Sequence, residues 1–417
     1  MKTPMSPPSP KKPISRTEFI ALMGLMQALQ ALAVDSMLPA LGRMAGELGV
    51  HDANRRQLVV GIFLMAGGLG CLIPGVFADR FGRRPVLMVC LSAYVLCSAA
   101  CGLVSNFDQL LALRAVLGVF SASLMVLPSA IIRDRFEGDA MARLQSTVAM
   151  VFMIVPMIAP SMGQAILLVA SWRWIFGAMA LLGTVITVWM VLRLPETLRP
   201  EYRQPIRIVA LARSMLEVTT TRASVGYIFG MALIQAAMFG YINSSQQLVA
   251  EHFGAGTRFP LIFAGMALMM ATTNFVNSRI VERFGARRVS HSALLVYICT
   301  SALQLTMASR PHETLWQFVP MMTVNMCLMG FIGANFVSIA LQPFARKAGA
   351  AASVQAFIRI SLGSSLGAMI GQAFDGSARP LATALLAAGG GCLILVLVSE
   401  RGRLFRQRNP GSPRQVA

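Results

Sequence analysis

The chain has 417 residues, is 56% hydrophobic and carries only 13% charged residues. An ordinary soluble protein of this length carries about 25% charged residues, so that class is excluded. The formal net charge of +19 is compatible with a nucleic-acid partner, but the basic residues sit in short gaps between apolar runs, which is how a membrane protein is oriented and not how a nucleic-acid groove is lined.

The chain begins with a polar, proline-rich tail, MKTPMSPPSPKKPISR. The apolar run behind it is too long for the hydrophobic segment of a cleavable signal. Twelve apolar runs follow, at 18–41, 57–78, 86–104, 109–132, 144–168, 173–194, 223–248, 257–281, 289–308, 314–342, 350–374 and 380–399. A helix needs about 20 such residues to cross a bilayer. The expected fold is therefore all-α, with twelve membrane-spanning helices. An even number puts both tails on one side. Lys and Arg concentrate in the tails and in alternate loops, which places both termini in the cytoplasm.

The longest loop on that side, 195–222, lies midway along the chain. Its stretch IRIVALARSMLEV reads as an amphipathic helix on the membrane surface. The expected organisation is a cytoplasmic N-tail over 1–17, a six-helix bundle over 18–194, a linker over 195–222, a second bundle over 223–399 and a cytoplasmic C-tail over 400–417. The bundles look related. DRFGRR at Asp79–Arg84 recurs as ERFGAR at Glu282–Arg287, an offset of 203 residues. A duplicated six-helix unit with a basic loop after its second span is a transporter plan.

The first run contains ALQALAVDSMLPALG, Ala28 to Gly42, in which Asp35 is a lone acid. An unpaired carboxylate at membrane depth costs several kcal/mol. Binding a proton or pairing with a cation relieves that cost. Apart from those at run edges, such as Arg173, Arg193 and Arg279, two arginines, Arg114 and Arg359, lie within runs. Arg114 is about five residues, or roughly 8 Å, from the outer end of the fourth run. Asp35 lies six residues before Leu41, roughly 9 Å from the same side. Similar depth makes Arg114 the expected partner. The plainer reading is an Asp35 that only caps or bends the helix before Pro39.

No histidine offers a competing proton path. His51, His252 and His312 fall in outer loops, and His291 is at a run edge. The seven cysteines all fall in apolar runs, without metal-ligand spacing, and read as lipid- or core-facing residues with no disulfide framework. There is no phosphate-binding glycine loop, no nucleophile–His–acid set and no metal cluster in the pattern. Nothing points to an enzyme or to a cofactor.

The loop GVFADRFGRRPVL, Gly75 to Leu87, resembles the signature of the major facilitator superfamily, G-x-L-A-D-R-x-G-R-K-x-x-L. Gly75, Ala78, Asp79, Arg80, Gly82, Arg83 and Leu87 match, with Phe77 standing for the Leu and Arg84 for the Lys. The resemblance implies that Asp79 meets the start of the eleventh helix, where the helix dipole favours an anion. It implies that the loop arginines tie to an acid at the end of the fourth helix, where Asp134 stands. It also places the first and fourth helices around a central cavity with a cavity arginine at the position of Arg114.

The fifth run, IVPMIAPSMGQ, partly matches the drug:proton antiporter signature G-x-x-x-G-P-x-x-G-G, at Pro160 and Gly163. With Pro156, these residues allow close packing and a bend. AVDSMLPAL, RAVLGVFSA, IIRDRF and WRWIF together resemble the bicyclomycin-resistance and chloramphenicol-export (Bcr/CflA) branch. In this superfamily the first and seventh helices line the cavity, which makes Gln27, Gln30, Tyr241 and Asn243 the favoured substrate contacts. Met153 would give the cavity a soft wall. Arg359 is nine residues into the eleventh run, roughly 13 Å from the cytoplasmic end, and is expected to join Asp79.

The function so implied is a proton-coupled drug exporter of the bacterial inner membrane, a monomer exchanging external protons for cytoplasmic amphipathic drugs. Its partners would be lipid, protons and small molecules, with no nucleic acid. The alternative is an importer or facilitator of a small metabolite on the same fold.

Overall fold

The computed structural model describes residues 14–405, apart from 53, 137, 204–207 and 311. Among the described residues there is no strand, and long helices dominate. Hydrocarbon offers no partner to backbone N–H and C=O groups, and a helix satisfies them within its own segment.

The crossings are α1 (Arg16–Glu47), α2 (Arg55–Gly70 with Leu72–Phe81), α3 (Arg83–Cys101), α4 (Phe107–Arg135), α5 (Gly138–Val169) and α6 (Arg173–Arg193). They continue as α7 (Arg222–His252), α8 (Phe259–Phe284), α9 (Ala286–Ala308), α10 (Leu315–Leu341), α11 (Ala348–Gln372) and α12 (Arg379–Ser399). Eleven are long and apolar enough to span singly, and α2 makes the twelfth crossing as a pair bent by 42°. All twelve expected runs are present, in an all-α, multi-pass membrane protein. Both described ends lie on one face, the tail face. The opposite face is the far face.

Helix starts follow from their caps. The Ser15 side chain accepts from the Glu18 N–H at 3.1 Å, and Asn106 accepts from the Gln109 N–H at 2.9 Å. Thr314 and Gln317 form a reciprocal capping box. α1 is interrupted: its α-helical part ends at Asp35, a tight turn covers Leu38–Ala40, and the helix resumes over Leu41–Glu47. Pro39 lacks the N–H a continuous helix needs.

α2 bends within a glycine-rich stretch, squeezed between α4 and α11. A β-carbon at Gly68 would stand 2.7 Å from the Ser361 Cα of α11. Polar ties between the first six and last six helices cluster at the far face. Asn54 Nδ2 donates to the Gln372 and Phe374 carbonyls at 3.0 and 2.9 Å. Arg56 pairs with Glu251, and Gln57 with Gln247. The central stretch of the linker, Ile208–Thr220, is a helix, and it packs on α7 and α11 with Val218 buried.

Candidate functional site

A cavity of about 530 Å³ lies between the two six-helix groups. α1 contributes Gln30, Ala31, Val34 and Asp35, and α5 contributes Phe152, Met153 and Pro156. α7 contributes Met231, Ile234, Gln235, Met238, Phe239 and Ile242, one helix stripe at i, i+3, i+4 and i+7 spacing. α8 adds Phe263, Met270 and Asn274, α10 adds Met326 and Met329, and α11 adds Arg359 and Ile360. With Met125 of α4, seven of the 28 methionines face this space. The wall is thus mainly apolar and deformable.

Two opposite charges line it, Asp35 from the first group and Arg359 from the last. Asp35 is only 5% exposed. No side-chain hydrogen bond or ion pair holds its carboxyl among the described residues. Arg359 Nη1 donates to Gln235 Oε1 at 3.0 Å. The Gln30 Oε1 atom is buried without a partner.

The expected pair of Asp35 with Arg114 is not made in this structure. Arg114 is fully buried, donates from Nε to the Val59 carbonyl at 2.9 Å and lies 4.1 Å from the centroid of the Phe63 ring. Its two Nη atoms have no hydrogen-bond partner. The reason is depth. α1 runs past Leu41 to Glu47, so Asp35 is twelve residues, roughly 18 Å, from the far end. Arg114 is seven residues after Phe107, only roughly 10 Å from it.

The expected link from Arg359 to Asp79 is also absent. Arg359 lies thirteen residues before Gln372, roughly 20 Å from the far end. It therefore reaches the cavity at the depth of Asp35, not the tail-face loop.

Of the favoured contacts, Gln30 and Met153 line the cavity, whereas Gln27, Tyr241 and Asn243 do not. Gln27 is half-buried and lies nearer the tail face on the same side of α1. Tyr241 and Asn243 flank Ile242 and so point off the lining stripe. The Tyr241 hydroxyl donates to Met266 Sδ at 3.1 Å, and its ring stacks on Phe263. Asn243 Nδ2 bonds back to the Phe239 carbonyl at 2.8 Å. Sequence reasoning missed Gln235 and Asn274 as lining residues. Their one signal was a polar residue inside an apolar run, which they share with helix-packing residues.

Gly163 of the antiporter-like motif meets the break in α1. A β-carbon there would stand 1.8 Å from the Ser36 carbonyl oxygen. Pro156 lines the cavity, and Pro160 is buried. α5 thus abuts the residue that follows Asp35. On the far face, Trp172 and Arg173 of the WRWIF stretch donate to Glu47 at 2.8 and 2.6 Å, tying the end of α1 to α6.

The tail-face loop is a separate cluster in which Arg83 is paired with two acids. Buried Arg83 contacts Asp79 at 2.6 Å and Asp134 at 2.9 Å. Gly82 has φ 105°, in the region that favours glycine. Glu196, unmarked by sequence reasoning, accepts the backbone N–H groups of Arg83 and Arg84 at 2.9 and 3.1 Å. It is an acid at a helix N-terminus. Arg84 donates to the Val191 carbonyl at 2.7 Å, and Arg80 lies over the Phe81 ring. Gly75 has only Val126 Cγ1 near a would-be β-carbon, at 3.9 Å, so no close contact demands glycine there. Among the described residues no group of three His, Cys, Asp or Glu is placed to hold a metal.

The Major Facilitator Superfamily profile matches residues 23–368. The chain is 25% identical over 382 residues to a bicyclomycin resistance protein homolog of Haemophilus influenzae, covering 91% of this chain and 94% of that one. It is 27% identical over 386 residues to the multidrug resistance protein MdtL of Klebsiella pneumoniae, covering 92% and 94%. Among solved structures, it is similar to a bacterial homolog of the human lysosomal transporter Spinster, in an inward-facing and occupied conformation. The TM-score is 0.72 at 17% identity, covering 93% of this chain and 96% of that one. With a twelve-crossing helical architecture and a profile match over most of its length, the chain belongs to the major facilitator superfamily.

Proposed function

We propose that the protein is a proton-coupled exporter of amphipathic drugs, working by alternating access in a bacterial inner membrane, with both tails in the cytoplasm. The observation that carries this reading is the cavity: methionine-rich, mainly apolar, and containing the buried, unpaired acid Asp35. Flexible, polarisable methionines suit substrates of varied shape. The printed names of the bicyclomycin and MdtL relatives support a drug as the cargo. The tail face is then cytoplasmic. The polar ties at the far face make this conformation one closed to the outside.

Drug enters from the cytoplasm or inner leaflet and occupies the cavity beside ionised Asp35. The groups rock, the far-face ties part, and the cavity faces out. A proton from outside binds Asp35, which becomes neutral and loses its attraction for a cationic or donor group on the drug. Drug leaves outward, the groups rock back, and the proton leaves inward. Gly163 against Ser36 is the contact through which the state of Asp35 is felt by α5. The loop around Arg83 is a conformational latch, away from the cavity. The protein works as a monomer, with lipid, drug and protons as its partners.

Everted membrane vesicles test the reading. Ethidium is expected to accumulate inside them when the lumen is acid, and a proton carrier should abolish that accumulation. Accumulation that ignores the pH gradient, or flux of a small metabolite in its place, would contradict it.

A further inference from the structure

Arg359 is a permanent cation in a wall that is otherwise mostly methionine, aromatic and aliphatic. A guanidinium has five N–H donors. One contact is seen, from Nη1 to the neutral Gln235 Oε1. No carboxylate lies within ion-pair distance of Arg359 among the described residues. The buried arginines Arg83, Arg114 and Arg287 are not part of the lining. Arg359 is thus the one cation facing the cavity among the described lining residues, and it is held in place by an amide that leaves its charge unmatched.

Gln235 is itself fixed. It lies on the cavity stripe of α7, against Gly363 of α11, where a β-carbon would be 2.9 Å from its Cγ. One helical turn before Arg359, Gln355 is buried with its Nε2 unpartnered. Gln355 is not a lining residue, so at the cavity α11 offers the Arg359 donors and no anion. The opposite wall offers Asp35. Charge inside a membrane protein is costly unless an opposite charge meets it. An incoming anion at Arg359 removes that cost. It gains a planar fork of donors that suits a carboxylate.

We propose that Arg359 is the anion-binding residue of this cavity and that the preferred cargo carries a carboxylate, most favourably as a zwitterion. The carboxylate docks on Arg359 and Gln235, and the cationic end faces Asp35. The apolar body lies on the methionine walls. With Asp35 ionised, the cavity presents both signs and matches a zwitterion. With Asp35 neutral, the cationic end loses its partner, which is the release step. This assignment rests on the export reading for its place in the cycle, but not for the anion site itself.

The test compares norfloxacin, a zwitterionic amphiphile, with its ethyl ester, which lacks the carboxylate. Binding is measured to the purified full chain in nanodiscs, and uptake in everted vesicles. The acid is expected to bind wild type at least tenfold more tightly than the ester. Arg359→Gln should weaken the acid at least tenfold and change the ester less than twofold. Arg359→Lys should recover part of the difference. Equal binding of acid and ester to wild type overturns the proposal without any variant, and so does an equal loss of both in Arg359→Gln. If Arg359-dependent acid binding holds while the vesicles export neither compound, the export reading falls and the anion site stands. If ethidium is exported but acid and ester bind alike, the export reading stands and the anion site falls.

Discussion

The charges of the cavity and those of the tail-face loop are arranged on opposite principles. In the loop, Arg83 meets two carboxylates and Glu196 meets two backbone N–H groups. In the cavity, Asp35 and Arg359 face open space, and Arg359 has a single amide partner. A satisfied cluster holds a shape, and breaking it costs stability or changes how states interconvert. An unsatisfied charge near the bilayer centre is expensive, and it persists where something that comes and goes completes it. In the proposed cycle the loop is the latch and the cavity the receptor. The second copy of the loop motif sharpens this contrast. Arg287 there has one carboxylate, Glu400 at 2.9 Å, and a neutral partner, Gln342 at 3.0 Å. It is satisfied with less charge, as a static staple would be.

The largest expected effect is at Arg83. Arg83→Ala strands two acids, one of them half-buried, and should cost about 3 kcal/mol. Turnover of drug should slow several-fold while drug affinity stays nearly unchanged. Paired binding and single-turnover measurements read this directly. A fall in affinity with normal turnover would put the loop in the receptor, not the latch.

Next comes the α5–α1 contact. Gly163→Ala forces a β-carbon to 1.8 Å from the Ser36 carbonyl oxygen. The strain should cost about 1–3 kcal/mol and lower transport at least tenfold. Gly75→Ala, with its nearest neighbour at 3.9 Å, should leave the melting temperature unchanged. Equal melting temperatures for the two variants would show that α5 is not braced on the α1 break.

A smaller effect concerns pH at the second loop. Burial alone would raise the Glu400 carboxyl, but hydrogen bonds from Tyr227 and Arg287, with the Arg287 charge, hold it below its ordinary 4.5. Its stabilisation is therefore complete above that value and is lost as pH falls through the lower folded-state value. Melting in detergent from pH 6 down to 3.5 should show a slope that Glu400→Gln flattens. The smallest effect is Tyr241→Phe, which removes only a hydroxyl on Met266. It should change stability by about 0.5 kcal/mol and leave drug binding intact. A clear loss of binding would return Tyr241 to the cavity.

Much of the architecture was legible because hydrocarbon imposes it: apolar runs of spanning length became spans. The loop motif tied its arginines to Asp134, as Arg83 is, but it directed Asp79 to the eleventh helix and did not announce the Asp79–Arg83 pair. Facing was not legible. α7 is 72% buried over its span window, so no polar side announces its orientation, and Gln235 could not be told from Tyr241 or Asn243. Depth failed where helix ends were misjudged. α1 continues beyond the Pro39 break, which moved Asp35 away from Arg114. The distance of Arg359 from both ends of α11 brought it to the cavity. Glu196 lay in a linker whose contacts are tertiary and leave no periodic trace.

The central claim is that Asp35 exchanges a proton for drug. The most direct measurement compares wild type with Asp35→Asn in proteoliposomes, at equal incorporation, for pH-driven accumulation and for drug–drug exchange without a gradient. Asn cannot carry the proton, and it costs less in the membrane than a charged Asp, so the variant should insert. The account predicts that drug–drug exchange survives within a few-fold while pH-driven accumulation falls to background. Accumulation at the wild-type level by Asp35→Asn would contradict it.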